Sequence, residues 1–398
     1  MGTTLVINPG SSSRKYALYN DGLPVLEIKF ENTNTGHEVC SQVSGGQQKC
    51  ESINKEDFFN SVEKVAEEVD RYIFRESLPR LDSIVVRVVA PGTFFQSHAP
   101  ITDEYIDKLK KKENVAPLHI TYILKEITSI RKLFKQAKLY AASDSAFHSQ
   151  MPRKAREYSI SLDDSNTYDI HRFGYHGLSV ASIVRKIHPL IGIDPEKMIV
   201  CHIGSGVSVT AVKKGVGIET SMGFSPTSGL LMGSRAGDLD ATALIELIRA
   251  KNWRAKDAEV YLSTRGGFVG IANEADIRKL LDRRSQKDDL ATLALDMFAY
   301  GLQKEIAAQT VALEGLDVLV LTATAAVRSS ELRSLVLAKI KHLGVLISED
   351  RNNSLMSQDG VISVRNSPVK VVVMRTDEMG EMATIPKMFQ IDSRKRKS

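Results

Sequence analysis

Two distant segments of this 398-residue chain share one layout. LVINPGSSSRKYAL (Leu5 to Leu18) and IVCHIGSGVSVTAV (Ile199 to Val212) each join an apolar run to an alternating strand through a Gly/Ser turn of small polar residues. A strand-turn-strand unit written twice predicts two similar half-molecules. Each turn offers backbone N–H groups to an anion such as phosphate. The length agrees, since a prior of about 100 to 200 residues per domain gives two domains.

Composition narrows the class. The chain is 42% hydrophobic and 25% charged, ordinary for a globular protein, so disorder and fibrous structure are not favoured. Its net charge of +5 is concentrated at Arg394, Lys395, Arg396 and Lys397, read as a solvated tail. The rest is nearly neutral and carries no broad footprint for nucleic acid. Cys40, Cys50 and Cys201 are odd in number and lack metal-ligand spacing, which argues against a disulfide framework or zinc site and for a reducing compartment. The start MGTTLVINPG has no signal-peptide pattern and no apolar run is long enough to span a bilayer, so a cytoplasmic protein is expected.

Hydrophobic periodicity places the elements. Strands are expected at Val25 to Phe30, Ile84 to Val89, Ala137 to Ala142, Ile199 to His202, Val207 to Val212, Val318 to Thr322 and Val369 to Val373. Asn32 to Asn54 reads as hairpins or loop with little core content. Helices are expected at Asp57 to Phe74, Ile101 to Lys112, Ile120 to Lys135 and Leu290 to Leu313, with a loop from Val115 to His119 and a terminal helix after Thr376-Asp377-Glu378. Strands alternating with helices imply an α/β protein with two sheet-centred lobes that cross near residues 145 to 175.

Candidate chemistry gathers at the ends of these strands. Asn8 to Lys15 (NPGSSSRK) combines hydroxyls, a glycine and a cation but is not a G-x-x-x-x-G-K-[ST] loop. His202 to Gly206 (HIGSG) is a bare G-x-G. Either alone is an ordinary turn, and it is the pairing that points to phosphate. Arg87 inside an apolar strand needs a partner or ligand, and Arg235 sits in MGSRAGD (Met232 to Asp238). His119, His148, His176 and His202 stand in or beside short loops, while Asp144 and Glu378 follow strands, where a buried carboxylate must be paired or bind metal.

The ordered set LVINPGSSSRKYAL, RVVAPG, APLH, DSAFHSQMP, RFGYHG, CHIGSG, ETSMGFSPTSGLLMGSRAGD and RTDE resembles the acetate kinase family across nearly the whole chain. The resemblance implies a two-lobed, duplicated ribonuclease-H-like (actin-like ATPase) fold with an active-site cleft between the lobes. One lobe would comprise residues 1–146 plus 380–398, the other 147–379. It implies a homodimer that moves a phosphoryl group in line and reversibly between ATP and acetate, with Mg2+, or Mn2+ in its place. By the same resemblance, Arg87 and Arg235 hold the acid and the transferred group, His176 stabilises its equatorial oxygens, Asp144 positions an arginine and His119 assists. Val89, Leu118, Tyr175 and Pro226 would line the acid's pocket together with Arg87. Asn8 and Glu378 would hold the metal. Ser11, Ser13, Lys15, His202, Gly204, Ser205 and Gly206 would bind phosphate, with Asp276, Arg278, Thr324, Ala325 and Ala326 near the nucleotide.

Several positions depart from the family pattern. Thr324 to Arg328 (TAAVR) stands where the family has Gly-Ile-Gly-Glu-Asn, Ala90-Pro91 replaces His-Gly, Ser205 replaces Asn and Tyr175 replaces Phe. A buried Tyr175 hydroxyl needs a partner. Side chains in place of glycines near the nucleotide suit pyrophosphate as an alternative donor, the pocket residues leave propionate or butyrate open as acceptor, and a noncatalytic relative is the competing class.

Overall fold

The computed structural model describes residues 2–10, 13–33, 36–113 and 117–395, those at 117–119 and 391–395 by backbone alone. The chain divides into two compact units, Met1–Ala146 with Asp377–Ser398 and Phe147–Thr376. The return to the first unit begins at Asp377, three residues before the boundary expected from sequence.

In the first unit, β1 (Thr3–Asn8) turns back as β2 (Ser13–Asn20), and the meander continues through β3 (Leu23–Thr33), β4 (Gly36–Val43) and β5 (Lys49–Ile53). Helices α1 (Lys55–Phe59) and α2 (Ser61–Arg75) lead to β6 (Leu81–Val88) and then β7 (Ala99–Pro100). Helices α3 (Asp103–Lys111) and α4 (Pro117–Leu133) follow, and β8 (Lys138–Ser143) completes the sheet. The strand order is β5-β4-β3-β2-β1-β6-β8-β7. β1 is antiparallel to β2 and parallel to β6, which is parallel to β8. Val62, Val65, Val69 and Tyr72 of α2 fall at helical spacing and pack with Ile120, Ile123, Ile127 and Ile130 of α4 over Leu5, Ile7, Ile84 and Val86. The C-terminal helix (Glu378–Lys395) lies on β1, β6 and β8, with Phe389 stacked 5.1 Å from Tyr140. Burial of both faces explains why β1 and β6 read as continuous apolar runs rather than alternating ones.

In the second unit, short α5 (Arg153–Arg156) and α6 (Leu162–Tyr168) precede α7 (Gly177–Ile191) and the strands β9 (Lys197–Ile203), β10 (Val207–Lys213) and β11 (Val216–Thr220). Five helices come next: α8 (Ala241–Lys251), α9 (Ala255–Thr264), α10 (Gly267–Ala272), α11 (Ile277–Ser285) and the long α12 (Asp289–Leu313). β12 (Val318–Thr322), α13 (Ala323–Arg328), α14 (Ser330–Leu337), α15 (Glu349–Ser354), β13 (Gly360–Val361) and β14 (Lys370–Met374) finish the unit. The order is β11-β10-β9-β12-β14-β13. β9 is antiparallel to β10 and parallel to β12, which is parallel to β14. Each unit therefore contains the same arrangement, β3-β2-β1-β6-β8 in one and β11-β10-β9-β12-β14 in the other, each ending in a short antiparallel edge strand. The duplicated segments are the hairpins β1-β2 and β9-β10.

The structure corrects several expectations. The helix expected from Asp57 to Phe74 is broken at Asn60 because Arg14 takes the local polar groups. Its Nη1 donates to the Phe59 carbonyl at 3.1 Å and to Ser61 Oγ at 2.8 Å. Arg14 also faces Glu126 of α4 at 3.7 Å, and the Tyr16 hydroxyl donates to the same carboxylate. Burial pushes the Glu126 carboxyl and the Tyr16 hydroxyl above their usual ranges. The loop expected through His119 gives way to α4 from Pro117 onward, in keeping with proline's fitness for a first helical position. Val115 and Ala116 lie outside the described residues. The terminal helix continues to Lys395, so Arg394 and Lys395 of the expected tail are helical, and Arg396 and Lys397 lie outside the described residues. Among the described helices none is long and apolar enough to cross a membrane.

The clearest correction concerns the cysteines. Cys40 and Cys50 sit directly opposite one another on β4 and β5 and form a disulfide, leaving Cys201 as the buried thiol. The antiparallel register of a local hairpin makes the pair, which counting cysteines could not foresee. Closing a loop of this length contributes about 2 to 3 kcal/mol through the unfolded chain. Reduction, or the double substitution Cys40→Ser/Cys50→Ser, is expected to lower the unfolding free energy from urea titration by that amount; an unchanged free energy would contradict it.

Candidate functional site

The parallel strands of the first unit deliver four polar residues to one end of its sheet. Asn8 closes β1, Arg87 is the penultimate residue of β6, Asp144 immediately follows β8, and Glu378 opens the terminal helix. Because β1, β6 and β8 are neighbours running in one direction, their carboxyl ends lie side by side. Arg87 meets Asp144 as a fork on a carboxylate, Nε to Oδ1 at 3.2 Å and Nη2 to Oδ2 at 3.0 Å. Nη1 donates to Asn8 Oδ1 at 3.3 Å and lies 3.8 Å from Glu378 Oε2. Asn8 Nδ2 in turn donates to Glu378 at 3.5 Å.

The charge balance of this cluster is asymmetric. Asp144 has only 2% of its side chain exposed and Arg87 has 19%, so part of the arginine side chain reaches solvent while the carboxylate is enclosed. Burial alone would loosen the Arg87 proton, but the Asp144 and Glu378 carboxylates overcome that and hold it above its ordinary range. The permanent cation can then face an incoming anion without losing its anchor.

Beside the cluster, Gly10 makes the first loop possible, since a Cβ there would stand 2.6 Å from the Ser13 carbonyl oxygen. The Ser13 hydroxyl is buried and has no hydrogen-bond partner among the described residues, and Lys15 is exposed opposite Asn8 in the β1-β2 ladder. Ser11 lies outside the described residues, as do the side chains of Leu118 and His119. Val89, just past β6, is half-buried.

A second constellation belongs wholly to the second unit. His176 is the N-cap of α7, held at φ 58°, a left-handed conformation that costs a non-glycine residue on the order of 1 kcal/mol. Its ring stacks on His202 from the end of β9, with centroids 4.0 Å apart and planes at 18°. A Cβ on Gly206 would lie 2.9 Å from His176 Nε2 and 3.3 Å from Arg235 Nη1, so only glycine lets the loop pass beneath these two groups. A Cβ on Gly204 would come within 3.5 Å of His202 Nε2. Ser205, between the two glycines, is exposed. Arg235 Nη1 donates to the Pro226 carbonyl at 3.0 Å, which ties the SMGFSP and GSRAGD segments together. Tyr175 is buried and donates its hydroxyl to the Phe224 carbonyl at 2.7 Å, supplying the partner that the sequence demanded. His148 is buried too, its Nε2 2.9 Å from the Tyr175 carbonyl.

The expected nucleotide residues fare unevenly. Asp276 caps α11 and pairs with Arg278, Nη2 to Oδ2 at 2.6 Å, a contact that holds its carboxyl below the usual range. Ala275 next to them lies against Gly233 of the Arg235 segment. The expected turn at Thr324 to Arg328 is instead part of α13, preceded by Thr322 and entered through Ala323 at φ 69°. Thr324 is exposed and Ala325 partly so, but Ala326 points into the core and offers no side-chain surface to a ligand. The carbonyls of Ala326 and Val327 accept from Arg333 Nη1 at 2.7 and 3.3 Å. Arg333, 1% exposed, also donates to Asn352 and to the Leu355 carbonyl and so pins α13 to α14 and α15.

Sequence reasoning missed three supports: Arg333, the serines beside the two histidines, and His98. No spacing marks them, because each acts on a partner distant in the chain. His98 Nδ1 accepts from the Ser143 backbone N–H at 3.1 Å, bracing the residue before Asp144. Burial pushes the His98 imidazole down to about 4. The unfolded chain takes up this proton near its ordinary pKa of about 6.5, so the native state binds fewer protons between those values. Stability should therefore fall as pH drops from about 6.5 toward 4, by about 1 to 3 kcal/mol given partial exposure. Urea unfolding across that range should show a shallower slope for His98→Gln, and equal slopes would contradict the account.

The sequence profile of the acetokinase family matches residues 3–384. The chain is 33% identical to the acetate kinase of Carboxydothermus hydrogenoformans over 384 residues, covering 94% of this chain and 96% of that one. It is 33% identical to the acetate kinase of Streptomyces griseus, covering 95% and 94%. Among solved structures, a propionate kinase from Francisella tularensis superposes with a TM-score of 0.86 at 27% identity, covering 96% of this chain and 98% of that one. Porphyromonas gingivalis acetate kinase gives 0.82 at 28%, with the same coverage. These structural likenesses agree with the two-sheet α/β architecture of the two-lobed actin-like ATPase fold. With a family match over nearly its whole length, the chain belongs to the acetokinase family.

Proposed function

We propose that the chain catalyses reversible, Mg2+-dependent transfer of the γ-phosphoryl group of ATP to acetate, giving acetyl phosphate and ADP by direct in-line displacement. The observation that carries this is the partly exposed Arg87 held as a fork on Asp144 beside Asn8 and Glu378. A carboxylate attacking a polyanion meets charge repulsion, while a loose transition state needs little covalent help. Catalysis then rests on fixed cations and donors.

In this reading, Arg87 holds the acetate carboxylate and the transferred group, and Asp144 keeps the guanidinium in place. Arg235 and the Nε2 edge of His176 meet the equatorial oxygens, while Gly204, Gly206, His202 and Ser205 cradle phosphate from the donor. Ser13 and Lys15 serve phosphate in the first unit, and Asp276, Arg278, Thr324 and Ala325 face the nucleoside. Val89, Tyr175 and Pro226 enclose the methyl group, with Leu118 and His119 assigned beside them on family resemblance. Asn8 and Glu378 each carry a hard oxygen, a set that would suit Mg2+, which takes few protein oxygens and completes its shell with water and phosphate, once the Asn8 amide, whose Nδ2 faces Glu378 and whose Oδ1 accepts from Arg87, turns its oxygen to the ion. The ion would neutralise charge on the donor phosphates when bound.

A homodimer fits the surface of the second unit. Leu290, Leu293, Met297 and Tyr300 of α12 fall at helical spacing and are 46 to 62% exposed, while α8 buries none of its residues. Dependence on ATP would place the reaction in the cytoplasm, where the Cys40–Cys50 pair meets a reducing thiol pool.

Hydroxylamine trapping of acyl phosphate with acetate, propionate and butyrate, each against ATP and pyrophosphate, tests the reading. Acetate with ATP should give the highest kcat/KM, and no product with any pair would overturn it. Arg87→Ala and Arg235→Ala should each lose on the order of 10²- to 10³-fold in kcat with folding retained. Near-parent turnover in either would remove that arginine from the transition state. Met297→Glu should shift sedimentation from dimer to monomer, and a parent that sediments as a monomer would contradict the dimer.

A further inference from the structure

Each ring of the stacked histidine pair has a serine behind it. Ser208 Oγ lies 3.0 Å from His176 Nδ1, and Ser179 Oγ lies 2.8 Å from His202 Nδ1. Both serines are fully buried, Ser208 on β10 and Ser179 in the first turn of α7. Both Nε2 atoms lie over the Gly204–Gly206 loop, as its close approach to each ring shows.

The chemistry of the pair restricts its protonation. In a neutral imidazole one nitrogen donates and the other accepts. Where the serine hydroxyl donates to Nδ1, the proton stays on Nε2 and the ring presents an N–H toward the loop. Stacked at 4.0 Å, the two rings repel if both become cations, and each serine lets its ring donate without that charge.

We propose that Ser208 and Ser179 are positioning residues, whose hydroxyls lock His176 and His202 in the Nε2–H tautomer and aim both rings at the phosphate bound by the Gly204–Gly206 loop. The proposal rests on the reading of that loop as a phosphate site, but the tautomer itself does not. The serines touch no reactant. They act through the imidazoles, and Ser208 through the one that meets the transferred group.

Two measurements test it. Long-range 1H–15N spectra of the full-length protein labelled at imidazole nitrogens, with His176 and His202 assigned by loss of signal in His176→Gln and His202→Gln, should show a protonated Nε2 and an accepting Nδ1 in both. Protonated Nδ1 in either ring would overturn the proposal for that ring, whether or not the enzyme turns over. In acyl phosphate formation, Ser208→Ala should lower kcat about 10- to 100-fold with KM nearly unchanged, and should cost less than about 2-fold when His176 is already alanine. Equal losses in both backgrounds would show that Ser208 acts on folding and not through His176. If the parent protein forms no acyl phosphate, the functional reading fails and the spectra alone decide the tautomer.

Discussion

Everything that this chain places at its candidate site follows from one constraint: a hairpin whose first strand also pairs in parallel with a later strand. β1 is bound to β2 on one side and to β6 on the other, and β9 to β10 and β12 in the same way. Parallel pairing requires the chain to leave the sheet and return, so polar residues accumulate where strands end and the cover is thinnest. In the first unit those ends carry Asn8, Arg87 and Asp144, and in the second the Gly204–Gly206 loop and α13.

Each constellation is held by buried polar groups that contribute nothing to a ligand directly. Behind the first loop, Arg14 gathers Phe59, Ser61 and Glu126 and fixes β2 against α2 and α4. Under Asp144, the Ser143 hydroxyl donates to the Phe95 carbonyl and its backbone N–H to His98. In the second unit, Arg333 occupies the carbonyls at the end of α13. Such groups are costly to bury and tolerable only when fully paired, so they define a geometry more than they add stability.

The legible part of the sequence was the part written in runs. The β-branched stretches around Ile84 and Val318 could be little else than buried strands, and an Arg within the first of them had to find an acid. What escaped was written in single residues. The break at Asn60 depends on Arg14, distant in sequence, and the Cys40–Cys50 bond depends on hairpin register. The segment after β12 reads as a turn by analogy with glycine-containing relatives, yet alanines there favour a helical turn, and Ala326 is drawn into the core. Tyr175 is a mixed case: its hydroxyl announced the need for a partner, but only the fold could name Phe224.

The central claim is that cations and fixed donors, not a nucleophile of the chain itself, carry the phosphoryl group. Asp144 is committed to Arg87, while His176 and Glu378 serve in the proposed function as a donor to the transferred group and a ligand to the ion, so none is assigned a covalent step. The most direct test is a single-turnover rapid-quench experiment with γ-labelled ATP, Mg2+ and acetate. The account predicts that label passes from ATP to acetyl phosphate in one phase with none bound to protein. Label that appears first on the chain, at His176 or a carboxylate, and then moves to acetate at the rate of turnover would contradict it.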